Sequence, residues 1–277
     1  MAMDAKHQPD ADIILSHRHD LGADYWTTPD KRLIKGSPFS CMDSASMLFE
    51  LGMEATDPIL MAVADLFFSV WRKDGRFKLY PNGGILPCHT AYAASFMCRL
   101  GYVGDERIQA TLQYFLSTPY SDGGWRCNKF SFGRGPETEY SNPLPTLNVL
   151  NAFRYSSFLN DEPSLDKAVE FLLCHWTIKT PIGPCQYGMG TRFMQIEYPM
   201  GDYNLFTYVY VLSFYDKAKK DERFLEAFAA LKNKISPDGM IIVERNSPKL
   251  SKLAFCKKNH PSELATKHYK QILKNLK

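Results

Sequence analysis

One helical pattern occurs four times along this 277-residue chain, and that repetition restricts the possible folds more than any other feature. Each copy opens with an acid, and mostly apolar residues follow at offsets of three, seven and ten. These offsets lie on one face of an α-helix, and an acid is a favourable helix N-cap. The pattern therefore predicts an all-α protein with one amphipathic helix per copy, beginning after Asp57, Asp105, Asp161 and Asp221.

Glycine turns end these copies. Asp74-Gly75, Asp122-Gly123 and Asp238-Gly239 each lie 17 residues after the opening acid, and the third copy turns at Gly183. A less polar helix is expected after each turn, because few charges interrupt the segments 38–51, 87–100, 145–158 and 203–216.

The repeating unit is thus a helix hairpin, with an apolar inner helix and an amphipathic outer helix. About five to six hairpins would form two layers, and these either close into a barrel or stay open as a solenoid. No long linker divides the chain, so we predict one domain over residues 1–277, with the core repeats in about 20–245.

The C-terminal segment is strongly basic. Residues 249–277 hold eight lysines and one acid, a net charge of +7, whereas residues 1–248 sum to −4. A terminal helix with a solvated face is the expected structure, and contact with an anionic membrane or with nucleic acid is the alternative. The segment has no aromatic-basic interleaving, so no nucleic-acid partner is predicted.

The N-terminal residues and the cysteines indicate the compartment. The first twelve residues are polar and acidic, unlike a signal peptide, and no apolar run is long enough to cross a bilayer. The seven cysteines contain no Cys-x-x-Cys pair and are expected to be reduced thiols. These features predict a cytoplasmic protein without a transmembrane segment.

The stretch from Asp122 to Lys129, with sequence DGGWRCNK, resembles the glycine-turn repeat of the prenyltransferase and squalene-cyclase superfamily. The resemblance covers most of residues 20–245. It implies an α/α toroid, in which inner-helix N-termini surround one end of a central cavity.

The closest partial resemblance is to the β-subunit of protein farnesyltransferase. Gly83-Gly84 is followed by His89 and Tyr92, which resemble that family's His-x-x-Tyr, and the next repeat carries Arg126 and Lys129, as in its Arg-x-x-Lys. The resemblance implies that these side chains bind an isoprenoid diphosphate.

Two more residues complete this expected head-group site. Tyr140 resembles the family's diphosphate-binding tyrosine, and Arg134 adds a cation in the same loop. Several donors converging on clustered negative charge are what a diphosphate needs. The alternative is that the loop cations are solvated.

The zinc site of the protein prenyltransferases is not preserved. Where that family has Asp-x-Cys-Tyr-Ser, this chain reads Glu137-Thr138-Glu139-Tyr140-Ser141, and no histidine occurs in Asp202–Phe206. The resemblance therefore implies neither structural zinc nor thiol prenylation. The Asp-x-Asp-Asp acid of class II cyclases is also absent.

Glu137 and Glu139 are the candidate catalytic residues. Paired carboxylates beside a diphosphate predict a bound Mg²⁺ ion. Alternatively, one of them is a proton donor whose pKa is raised by burial, or a partner of Arg134 in a salt bridge.

Two further sets of residues have weaker signals. Cys41, Asp43 and His89 are zinc-ligand types near inner-helix starts, although their spacing matches no known motif and core packing is the favoured interpretation. Tyr203 belongs to an aromatic inner helix that is expected to line the cavity and hold an apolar chain.

The sequence thus predicts a prenyltransferase- or terpene-cyclase-like enzyme that acts on an isoprenoid diphosphate. The alternative is a non-catalytic toroid that binds a lipid or a protein partner. Fold alone does not decide between them.

Overall fold

A computed structural model describes residues 3–277, and the described chain is mostly helical. It contains twelve α-helices, five short 3₁₀-helices and one two-stranded antiparallel sheet. The all-α prediction is therefore confirmed. The sheet only joins β1 (Ile241–Ile242) to β2 (Pro261–Ser262) near the C-terminus.

The long helices alternate along the chain between those predicted as inner and those predicted as outer. The predicted inner helices are α2 (Cys41–Glu50), α4 (Pro87–Arg99), α6 (Pro143–Phe153) and α9 (Leu205–Leu212). The predicted outer helices are α3 (Pro58–Ser69), α5 (Glu106–Ser117), α7 (Pro163–Ile178) and α11 (Glu222–Lys232). The remaining helices are α1 (Gln8–Ser16), α8 (Thr191–Met194), α10 (Asp216–Lys219) and α12 (Glu263–Asn275).

The repeat register predicted most of these boundaries. Asp57, Asp105 and Asp221 are N-caps, because each carboxylate accepts the backbone N–H two residues further on. Asp161 was the wrong cap for the third copy, where Glu162 accepts the N–H of Ser164 and the helix begins at Pro163.

The glycine turns occur where the spacing predicts them. Gly75, Gly123 and Gly239 have φ values of 81°, 91° and 79°, in the left-handed region that favours glycine. Gly123 also has no room for a side chain, because a Cβ atom there would lie 2.8 Å from the carbonyl carbon of Lys167.

The inner helices are shorter than predicted, for local reasons. Helix α2 begins at Cys41 because the hydroxyl of Ser40 caps it and accepts the N–H of Asp43. Asn204 caps α9 in the same way through the N–H of Thr207, so Tyr203 precedes the helix. Helix α6 starts two residues earlier than predicted and ends at Phe153.

Successive helices of the predicted inner set pack together, and each predicted outer helix packs on an inner one. Helix α4 packs against α6, α6 against α9, and α9 against α12, while α3, α5 and α7 cover α2, α4 and α6. Helix α11 lies against α9 and α7. The two ends of the chain meet, because Asp10 in α1 accepts the N–H groups of Ala254 and Phe255 at 2.7 and 2.8 Å.

Among the described residues, no helix has both the length and the apolar character that a membrane crossing requires. The basic C-terminal segment contains α12, as expected.

Candidate functional site

A cavity with a volume of about 1020 Å³ lies between α2, α4, α6, α9 and α12. Side chains of α2, α4, α6, α9 and α12 contribute to its wall, together with the segments 191–202 and 245–250. Its size suits a small-molecule ligand. The charged or titratable residues of the wall are Asp43, Glu50, Arg99, Arg154, Arg192, Glu197, Asp202, Arg245 and His268.

The wall is more polar than the sequence suggested. The sequence predicted an aromatic lining. Only four of the many lining residues are Phe or Tyr: Tyr92, Phe96, Tyr198 and Tyr210. The predicted candidate Tyr203 lies elsewhere, in the core, where its hydroxyl is 2.8 Å from Nδ1 of His175.

Glu50, at the end of α2, is the most highly connected acid of the wall. Its carboxylate pairs with the guanidinium of Arg99, accepts the hydroxyl of Tyr198 at 2.7 Å, and lies 2.6 Å from Nε2 of His268. Burial alone would raise the pKa of Glu50, but the Arg99 charge and the hydrogen bonds hold it well below its ordinary value. Glu50 is therefore an ionised anchor with its oxygens already occupied.

A second acidic group surrounds Glu197, whose side chain is 15% exposed. Burial and the nearby Asp202 carboxylate raise the pKa of Glu197 to about 7, against the opposing charge of Arg245, with which it is paired. Arg192 pairs with Asp202 at 2.8 Å and is 73% exposed, so this group lies where the cavity meets solvent. A carboxyl group with a pKa near neutrality can both give and take a proton.

Asp43, near the start of α2, lines the same cavity. Its carboxylate accepts the hydroxyl of Ser40 at 2.8 Å. Burial raises the pKa of Asp43, the Ser40 hydrogen bond opposes that effect, and the charge of Asp202 adds to it. The carboxylate of Asp202 thus repels those of both Asp43 and Glu197 at this part of the wall.

Three polar atoms of cavity-lining residues are buried without a hydrogen-bond partner among the described residues: Asn148 Nδ2, Thr207 Oγ1 and Arg245 Nε. Unpaired buried donors cost about 1–3 kcal/mol each, so such groups normally bind water or a ligand. A ligand with polar acceptor atoms would satisfy these donors.

Arg154 provides a further cation at the cavity wall. Its guanidinium lies 4.9 Å from the ring centre of Tyr210 and 4.7 Å from that of Phe214, and Nε donates to Asn151 at 2.6 Å. The rings hold the cation in place by cation–π attraction.

The loop predicted to bind the diphosphate lies outside this cavity. Arg126 donates to the backbone carbonyl of Thr138 at 2.9 Å and is 3.5 Å from the Glu139 carboxylate. Both contacts are within the loop, so the guanidinium braces the loop itself. Lys129 and Arg134 are exposed and have no ion pair with any described residue.

The other predicted head-group residues do not all line this cavity. Tyr92 lines the cavity, but Tyr140 is 41% exposed at the surface. His89 lies 5.5 Å from the ring of Tyr80, and its buried Nδ1 has no partner among the described residues. Burial lowers the pKa of His89.

Glu137 and Glu139 line a shallower groove of about 480 Å³, together with Tyr140 and Asp122. The two Asp122 oxygens already accept hydrogen bonds from Ser141 and Gly124. Glu137 accepts the N–H of Gly135 at 3.3 Å. Neither glutamate pairs with Arg134, so the salt bridge considered from the sequence is not formed.

The weaker metal candidates Cys41 and Asp43 have different surroundings. Cys41 is fully buried, and burial raises the pKa of its thiol, whereas Asp43 faces the cavity. Within residues 3–277, no group of three or more His, Cys, Asp or Glu side chains is arranged to hold a metal ion.

Two other thiols are in contact. A hydrogen bond from the Cys185 thiol lowers the pKa of Cys127, and burial opposes that effect. Both cysteines are unbridged.

No known protein-family profile matches the chain, and no curated protein matches it.

Sequence reasoning missed Glu50, Glu197, Arg154 and Arg245. Glu197 and Arg245 lie in segments that join the repeats, where no periodic pattern marks them. A signal was present only for Asp43, as an acid near an inner-helix start.

Proposed function

We propose that the predicted inner helices close into a ring around the 1020 Å³ cavity, as in an α/α toroid. Their successive packing supports this, from α4 through α6 and α9 to α12. Glu50 would close the circle, since its carboxylate contacts Arg99 in α4 and His268 in α12.

We further propose that this cavity is the active site of an enzyme acting on an isoprenoid diphosphate, in a prenyltransferase-like or terpene-cyclase-like reaction. The observation that carries the proposal is Glu197, a cavity carboxyl group whose pKa is about 7. Perturbed titration in a cleft is typical of catalytic acids and bases. The substrate class comes from the sequence resemblance.

The charges of the wall suggest how the substrate lies. Arg192 and Arg245 would face the diphosphate, and Arg245 has a free donor at Nε. The apolar chain would lie against Phe96 and Tyr210. Cleavage of the C–O bond would release diphosphate to the two arginines and leave a positive charge on the hydrocarbon, which the aromatic faces stabilise. An ionised Glu197 would then remove a proton to give a neutral product.

A Mg²⁺ ion remains part of the proposal, but at a different place from the one the sequence indicated. Asp43 and Asp202 repel each other, and a divalent cation would relieve that repulsion while neutralising the diphosphate. Glu137 and Glu139 line the shallower groove instead of this cavity. We also propose that the enzyme acts in the cytoplasm.

The experiment is calorimetry with farnesyl diphosphate and with farnesol, each with and without Mg²⁺. We expect the diphosphate to bind at least about tenfold more tightly than the alcohol, and Arg192→Gln to remove most of that difference. Arg134→Gln is the matched control, because it removes an exposed arginine outside the cavity. Equal affinity for diphosphate and alcohol would contradict the proposed head group.

Catalysis requires a separate test. Wild-type protein is incubated with farnesyl diphosphate, and hydrocarbon and alcohol products are identified by mass spectrometry. Glu197→Gln should bind the substrate but lose most product formation. If the wild type binds farnesyl diphosphate and forms no product, the protein is a non-catalytic lipid binder.

A further inference from the structure

The C-terminal lysines form a surface without neutralising partners. All eight lysines of residues 249–277 are exposed, and none forms an ion pair with a described residue. The one acid of this segment, Glu263, is already paired with Lys6. This basic surface consists of Lys249, Lys252, Lys257, Lys258, Lys267, Lys270, Lys274 and Lys277.

Helix α12 arranges three of these charges on one face. Lys267, Lys270 and Lys274 are spaced by three and four residues, which places them along a single stripe. Tyr269 and Ile272 are buried on the opposite face. The lysine ammonium groups therefore point away from the protein.

The basic surface borders the proposed active site. Pro248 and Leu250 line the cavity on either side of Lys249, and His268 lines it from α12, next to Lys267. Leu273, on the same helix, is 37% exposed. Cations, an exposed apolar side chain and a cavity wall thus occur together in one segment.

We propose that this basic surface docks the protein on an anionic lipid bilayer, so that an amphipathic substrate passes from the bilayer into the adjoining cavity. The substrate part rests on the proposed function. Each lysine near an anionic bilayer contributes about 1 kcal/mol, so several together give reversible binding. Nucleic acid would also attract lysines, but residues 249–277 present no exposed Phe, Tyr or Trp side chain for stacking.

The test is co-sedimentation of the full chain with phosphatidylcholine vesicles, with and without phosphatidylserine. We expect binding only to the serine-containing vesicles, and loss of binding as salt rises from about 0.1 M to about 1 M. The triple variant Lys267→Glu, Lys270→Glu and Lys274→Glu should bind at least about tenfold more weakly.

The control variant carries Lys31→Glu, Lys35→Glu and Lys73→Glu, which reverse three exposed lysines elsewhere. It should bind vesicles as the wild type does, apart from the general effect of net charge. Circular dichroism and urea unfolding establish that both variants are folded. Equal binding to both vesicle types, equal loss in both variants, or tighter binding to a single-stranded oligonucleotide would each overturn the proposal.

Failure of this proposal is distinguishable from failure of the proposed function. Calorimetry with geranyl diphosphate in vesicle-free solution measures the cavity alone. The α12 variant should keep the wild-type affinity there, because its lysines do not line the cavity.

Discussion

Nε2 of His268 lies 2.6 Å from a carboxylate oxygen of Glu50, although the two residues are 218 positions apart in the chain. Arg99 and Tyr198 contact the same carboxylate. One side chain at the end of α2 thus joins α4, α12 and the segment before α9. Because the group is buried and ionised, its partners must all be in place for the ion to be stable there.

We therefore expect Glu50→Gln to lower the free energy of unfolding by about 3–5 kcal/mol, because it leaves the Arg99 charge without its partner. Urea unfolding at neutral pH measures the loss. Asp65→Asn, an exposed change in α3, is the control and should have little effect.

The pH dependence of the Glu50 contribution provides a second readout. The pKa of Glu50 is depressed in the folded protein, so its contribution is complete above the unfolded pKa and is lost as the pH falls towards the folded value. The difference between wild type and Glu50→Gln should shrink on acidification. A difference that stays constant between neutral and acidic pH would contradict an ionised Glu50.

Glu197 should have the opposite dependence. Its folded pKa of about 7 lies above the ordinary glutamate value of 4.5, so the folded state holds the proton more tightly. The stability that protonated Glu197 contributes is fully present below the unfolded pKa and is lost as the pH rises through 7. From about pH 5 to about pH 8, the wild type should lose about 1–3 kcal/mol relative to Glu197→Gln. Parallel stability curves for the two proteins would show that Glu197 titrates normally.

Local signals explain why the helices were predictable. An N-cap such as Asp105 and a turn such as Gly123 depend on contacts within a few residues, so the spacing of these residues in the sequence predicts them directly. The prediction for the third copy was less accurate, because Glu162 rather than Asp161 caps the helix.

The site was much less predictable, because its contacts are not local. Nothing in the sequence indicates that Glu50 meets His268 or that Glu197 lies near Asp202 in a cavity. The order of residues in a loop also does not show which way they face. Arg126 carries a charge at the expected position, but it contacts the carbonyl of Thr138 in its own loop.

The contact between the chain ends leads to another prediction. The Asp10 carboxylate accepts two backbone N–H groups, those of Ala254 and Phe255. Asp10→Ala would leave both donors unpaired, and we expect a loss of about 2–5 kcal/mol in unfolding free energy. Asp12→Ala, on the exposed side of the same helix, should cost less than about 1 kcal/mol. Similar losses in both variants would mean that the ends do not hold each other.

The last prediction separates the loop predicted from the sequence from the cavity found in the structure. Because Arg126 braces its loop and does not line the cavity, Arg126→Gln should leave the affinity for farnesyl diphosphate within about twofold of the wild type. Its effect should instead be a loss of about 1–2 kcal/mol in stability, since two hydrogen bonds to the Thr138 carbonyl and an ion pair with the exposed Glu139 disappear. Arg192→Gln should show the reverse, with weaker binding and unchanged stability. Calorimetry and urea unfolding on the two variants give four measurements. If Arg126→Gln loses about 30-fold or more in affinity while Arg192→Gln loses none, the head group binds at the loop, and the cavity is not the diphosphate site.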